Sequence, residues 1–143
     1  LQLMGGIDLT VDGVPVSLPQ TVAYRSAMLS GVPNFVFAMG YTNQSWTLRL
    51  GLVCDWWIRL LNHMDAEGHE AVVVRADPAM STVSSLDFAA GYVQRAAATL
   101  PRQGDAGPWR VSMNYYQDRK TLLRGPLLDE HLVFSSGSSQ TRP

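Results

Sequence analysis

Phe35-Val36-Phe37-Ala38-Met39-Gly40-Tyr41-Thr42-Asn43-Gln44-Ser45-Trp46-Thr47 is the stretch on which the fold of this chain turns. Five apolar residues without alternation, closed by Gly40, fit a strand buried on both faces, as in a parallel sheet. A short polar turn follows, in which Asn43 or Ser45 can cap a helix. The helix is predicted from about Ser45 to about Ala66. Its apolar positions run from Trp46, Leu48, Leu50, Leu52 and Val53 through Trp56, Trp57, Ile58, Leu60, Leu61 and Met64. Only Arg49, Asp55, Arg59, Asn62 and His63 make a polar stripe, so the helix is expected to be packed on most sides. Asp55 and Arg59, four apart, can pair along that stripe, and Gly68 is the natural stop. Strand, turn and helix in this order form the unit of doubly wound α/β sheets. Ligands in such folds sit at the carboxyl ends of strands, beside helix N-termini. Gly40 to Thr47 is therefore the candidate ligand turn, with a purely structural turn as the alternative.

Upstream, Ile7, Leu9 and Val11 alternate with Asp8, Thr10 and Asp12, and Asp12-Gly13 signals a hairpin. Val14 and Val16 begin the return strand, with Pro15 marking an edge. Downstream, Ala71 to Val74 reads as a short strand and Asp77 to Ser85 as a polar loop. Leu86 to Leu100 reads as a helix ended by Pro101. Gln103 to Pro108 reads as a loop, Trp109 to Leu123 as a further helix broken by Gly125-Pro126, and Ser135 to Pro143 as a disordered tail. No internal repeat is present.

The chain has 143 residues, enough for one domain. Hydrophobic residues make up 46% and charged residues 16%, fewer charges than the ~25% of a typical soluble domain. The low charge predicts faces meant to be covered by sequence outside this stretch. Eleven basic and 12 acidic residues give a net charge of −1, which argues against a phosphate-neutralising nucleic-acid binder. The most apolar segment, Trp46 to Leu61, is interrupted by Arg49, Asp55 and Arg59, so no transmembrane segment is expected. Cys54 is the single cysteine, which fits a reducing, cytoplasmic setting; in the apolar helix it reads as a buried structural residue.

His63, Asp65, Glu67 and His69 bring four metal-ligating side chains into seven residues. Alternate residues on a helix diverge and Gly68 ends it, so a solvated helix terminus is the better reading than a metal-dependent hydrolase. Trp46, Trp56 and Trp57 fall at helical spacing, which favours core over cofactor pocket. No G-x-S-x-G elbow, Walker A loop or G-x-G-x-x-G occurs.

Several words of the sequence, taken together, carry a resemblance. Met28-Leu29-Ser30-Gly31-Val32-Pro33-Asn34-Phe35 is followed by Gly40-Tyr41-Thr42-Asn43-Gln44-Ser45-Trp46-Thr47-Leu48, Arg59-Leu60-Leu61-Asn62-His63-Met64-Asp65 and Gly91-Tyr92-Val93-Gln94-Arg95. Then come Leu100-Pro101-Arg102-Gln103-Gly104, Pro108-Trp109-Arg110, and Asn114-Tyr115 with Asp118. In this order they resemble the C-terminal region of flavin-containing monooxygenases of the Baeyer–Villiger type, close to the ethionamide-activating branch. The likeness runs from Gly5 to Phe134.

The resemblance implies a two-dinucleotide-binding, Rossmann-like FAD/NAD(P) fold, here as an incomplete sheet plus a helical C-terminal segment. Residues 1–70 would be the end of the FAD-binding domain, with strand, turn and helix at 35–66. Residues 71–134 would be a helical or irregular extension, and 135–143 a disordered tail. It implies FAD and NADPH as cofactors. One oxygen atom from O2 would pass, by way of a peroxyflavin, to a ketone or to a sulfur or nitrogen substrate. By the same resemblance Gly40, Asn43 and Ser45 face the flavin, Trp46 and Thr47 lie beside its ring, and Leu50 lines the substrate approach. The family's G-x-G-x-x-G, its F-x-G-x-x-x-H-x-x-x-W/Y signature and its NADPH loop do not occur here. The partner implied is the missing N-terminal portion of the same enzyme. Alone, this piece is expected to be inactive; the alternative is a non-catalytic remnant or interaction module with an exposed apolar helix.

Overall fold

Asp12 and Gly13 both take positive φ, 51° and 80°, which is what a two-residue hairpin turn requires. They fold Thr10–Val11 (β1) back on Val14–Pro15 (β2), antiparallel, as the sequence predicts. The computed structural model describes residues 3–85 and 98–137. Within them the protein is a small α/β structure of short antiparallel strand pairs and helices. Ala23–Tyr24 (β3) pairs with Met28–Leu29 (β4). Ala71–Val74 (β5) pairs with Leu132–Ser135 (β8), and Thr82–Ser84 (β6) with Arg102–Gly104 (β7). One long helix, α1, spans Trp46–Glu67, and a short one, α2, spans Tyr115–Arg119 and runs on into a π-helical turn, Lys120–Arg124.

α1 begins and ends where its residues dictate. Ser45 holds the N-cap position, and Gly68 closes the helix in the left-handed conformation (φ 70°) that glycine adopts at least cost. Leu52, Val53, Trp56, Leu60 and Met64 form its buried stripe. They pack on Tyr24, Met28, Val72, Val74, Trp109, Leu122 and Leu132, so residues on both sides of position 70 share one core. Ala23, Leu29, Val32 and Phe37 make a second, smaller cluster under the hairpin.

The expected strand over residues 35–39 is not one. Both edges of β5 are taken, by β8 on one side and by the Ser30–Asn34 segment on the other. That segment contributes a Ser30–Val74 bridge and hydrogen bonds between Asn34 and Val72. Asn34 then turns away at φ 53°, and residues 35–39 run on without a ladder partner among the described residues, with Phe37 N–H donating to the Ala27 carbonyl at 2.8 Å. An apolar run makes a strand only where a free sheet edge lies beside it.

Four further expectations are corrected. The region expected to be loop at 77–85 and 103–108 contains β6 and β7. The helix expected over 109–123 starts only at Tyr115, because Asn114 caps it, its side chain accepting from Gln117 N–H at 3.1 Å. Among the described residues after position 70, β5 to β8, α2 and its π-helical turn alternate with irregular segments. Arg59 does not pair with Asp55. Its guanidinium donates to the Leu122 and Leu123 carbonyls at 2.8 and 3.0 Å, satisfying acceptors that a helix end leaves open. The helix predicted at 86–100 falls largely outside the described residues. Of the predicted tail, Ser135 belongs to β8 and residues 138–143 lie outside them.

Leu60 is fully buried and Ile58 is 54% exposed, though both are aliphatic residues of one helix. Leu60→Ala is expected to lower unfolding free energy by about 2–5 kcal/mol. Ile58→Ala should change it by no more than about 0.5 kcal/mol. Urea denaturation of the 143-residue chain measures both.

Candidate functional site

The turn from Gly40 to Ser45 is exposed at residues 42–45 and anchored at its flanks and middle. A Cβ at Gly40 would fall inside the Trp46 indole, so only glycine lets this side chain lie over the backbone. Asn43 and Gln44 both donate from their side-chain amides to one acceptor, the Met113 carbonyl, at 3.2 and 3.3 Å. Among the described residues the Ser45 and Thr47 hydroxyls hydrogen-bond to each other, at 3.0 Å. The first turn of α1 carries no acidic residue of its own to offset the partial positive charge of its N–H groups.

Beneath the turn lies a buried polar network. The Tyr41 hydroxyl donates to Asp118 Oδ2 at 2.6 Å. Arg49 Nη2 is 3.2 Å from the same oxygen and 3.2 Å from Ser26 Oγ. The Arg49 guanidinium lies 5.0 Å from the centre of the Tyr41 ring. Arg49 is 1% exposed, and its Nε and Nη1 have no hydrogen-bond partner among the described residues. Burial holds the Arg49 pKa below its ordinary value, while Asp118 and Tyr41 oppose that shift. Burial also pushes the Tyr41 phenol up, reinforced by the Asp118 carboxylate that accepts its proton.

The six residues assigned to the site from sequence divide into two groups. Gly40 is buried beneath the Trp46 indole; Asn43, Ser45, Trp46, Thr47 and Leu50 are exposed. Trp46 and Leu50 open an exposed apolar stripe that continues at helical spacing through Cys54, Ile58 and Leu61. Cys54 is therefore exposed, not buried as expected: position 54 falls on the face of α1 opposite Trp56 and Leu60. A cleft of about 890 Å³ lies nearby, lined among others by Arg25, Arg49, Asn114, Asp118 and Lys120. None of the six site residues lines it.

His63 and His69 serve packing. Both rings rest on Phe134, centroids 5.4 and 4.8 Å away, and among the described residues no three His, Cys, Asp or Glu side chains gather as a metal site. The residues that sequence reasoning missed are Tyr41, Arg49, Met113 and Asp118. In the sequence Arg49 reads as one member of the polar stripe of α1. The available signal was its place in the first helical turn, where a cation opposes the helix dipole unless an anion faces it.

Tyr24, whose hydroxyl donates to Asp129 Oδ2 at 2.6 Å, is likewise pushed up, chiefly by burial. Both phenols stay neutral in the folded protein at pH values where unfolded phenols ionise, from about 10. Their contribution to stability is complete below that pH and is lost as pH rises above it, because only the unfolded chain gains from ionisation. Phenolate absorbance and melting temperature, followed across the alkaline range, should show late titration of two tyrosines and falling stability.

The chain is 44% identical over 136 residues to "FAD-containing monooxygenase EthA" of Mycobacterium tuberculosis (strain ATCC 25618 / H37Rv), a match over 94% of this chain and 28% of that protein. It is 40% identical over 136 residues to the protein of the same name from Mycolicibacterium smegmatis, with 94% and 28% covered. It is 37% identical over 143 residues to "Probable FAD-binding monooxygenase AlmA" of Acinetobacter sp, with 99% and 29% covered. The chain thus spans a little over a quarter of the length of the curated relatives it matches. No protein-family profile and no solved structure matches it. The chain is a homologue of part of the FAD-containing monooxygenases.

Proposed function

We propose that the chain is the C-terminal portion of an FAD- and NADPH-dependent monooxygenase. In the whole enzyme the turn at Gly40, Asn43, Ser45, Trp46 and Thr47 contacts the flavin, and Leu50 with Trp46 lines the substrate approach. The single observation carrying this reading is the open, polar turn at the N-terminus of α1, flanked by an exposed indole and an apolar stripe. A helix start without acidic residues favours electron-rich ligand atoms, and an exposed indole offers a flat apolar wall to a planar ring. These residues fit one side of a flavin, whose bound form supplies the redox chemistry with O2. On this reading residues 1–70 complete the FAD-binding domain of a Rossmann-like fold and 71–134 form an extension packed on it. Oxygen goes to a ketone (a Baeyer–Villiger insertion) or to a sulfur or nitrogen atom. The missing portion supplies the phosphate cradle and the nicotinamide site, and covers the stripe on α1. A cytoplasmic location accords with the lone cysteine. No helix among the described residues is long and apolar enough to cross a membrane.

The exposed stripe also favours a second reading, a non-catalytic interaction module. The coding sequence upstream of Leu1 separates the two, since only the first requires a G-x-G-x-x-G segment in the same frame. The 143-residue chain alone is expected to oxidise NADPH no faster than background. In the longer polypeptide, Asn43→Ala or Trp46→Ala should weaken FAD binding roughly tenfold, the size of a lost hydrogen bond or stacking contact. Flavin fluorescence titration reads the effect, and unchanged affinity in both variants would refute the assignment of the turn.

A further inference from the structure

The geometry points to Asp118 as the positioning residue of the turn: one carboxylate holds both flanks of the Gly40–Thr47 segment in register. This inference rests on the flavin-facing reading above. Asp118 Oδ2 receives the Tyr41 hydroxyl at 2.6 Å and faces Arg49 Nη2 at 3.2 Å. Tyr41 immediately follows Gly40, and Arg49 lies in the first turn of α1, two residues after Thr47. The carboxylate therefore spans the turn from its entry to its exit. Five residues before Asp118, the Met113 carbonyl takes the amides of Asn43 and Gln44, gripping the middle. Asn114 caps α2 between them, so the segment 113–118 presents both acceptors from one short rigid element.

The residue type matters. Two donors, one of them a guanidinium, converge on a single oxygen, which only an ionised acceptor does well. Asp118 is 4% exposed, so both donors meet an acceptor that is almost wholly buried. By contrast, among the described residues the Ser45 and Thr47 hydroxyls hydrogen-bond to each other, and Trp46 is 54% exposed. Where these three side chains point is set by the backbone that Asp118 holds. None of this requires Asp118 to touch the cofactor or substrate.

The test uses backbone and indole NMR order parameters of the 143-residue chain with Asp118→Asn, and separately with Tyr41→Phe. Asp118→Asn keeps the volume and removes the charge. Order parameters of residues 41–47 and of the Trp46 indole are expected to fall from about 0.85 to below about 0.6, with β5 and β8 unchanged. Tyr41→Phe, which removes one hydroxyl, should produce a smaller fall in the same residues. An equal loss across β5 and β8, or no change at 41–47, would overturn the inference. If Asp118→Asn does not fold, Tyr41→Phe carries the test alone by the same criterion. FAD affinity of the longer polypeptide then separates the two claims. Should Asn43→Ala weaken it and Asp118→Asn leave it unchanged, this inference fails while the flavin reading stands. If Asn43→Ala and Trp46→Ala both leave it unchanged, the flavin reading fails, and the order parameters of residues 41–47 alone decide the positioning role.

Discussion

A cation in the first turn of a helix opposes the partial positive charge of the helix start, and Arg49 stands there 1% exposed. The arrangement holds only because Asp118 meets it. That contact joins α1 to α2 and, through Ser26, to the turn between β3 and β4. Removing either partner would leave a buried charge uncompensated, at a cost of about 3–5 kcal/mol. Among the described residues the pair is not fully satisfied, since Arg49 Nε and Nη1 have no acceptor there. It is better understood as fixing which arrangement forms than as a net source of stability.

α1 has two faces of similar apolarity and different fates. Leu52, Val53, Trp56, Leu60 and Met64 are buried, while Trp46, Leu50, Ile58 and Leu61 are exposed. Scattered exposed aliphatics are ordinary, but a row of them along one helix is not. A helix that reads as packed on most sides has, within these residues, only one side packed.

Local signals were legible in the sequence wherever the determinant was local. Asp12-Gly13 specifies its hairpin by φ alone, and Gly68 specifies the end of α1 in the same way. What failed depended on neighbours. Residues 35–39 have the composition of a buried strand, but β5 has no free edge to offer them. Arg49 and Arg59 looked alike on a helical wheel. One is enclosed against Asp118 and the other reaches the carbonyls of Leu122 and Leu123, and neither partner can be read from α1. Of the candidate site, the turn and its exposed side chains were legible, whereas the carboxylate that holds it, some 70 residues downstream, was not.

The pairing of β5 with β8 sets an order of events. Val74 lies opposite Leu132, so this ladder cannot form until nearly the whole described chain has left the ribosome. Until then Val72 and Val74 are without the Leu132 side of their cluster, and one edge of β5 is open. Non-local pairing of this kind is slow, because a long loop must close before its contacts are gained. Translation in vivo therefore exposes an unpaired apolar strand for as long as it takes to synthesise the intervening residues. That interval is where chaperones would be needed, and where a premature stop would be most damaging.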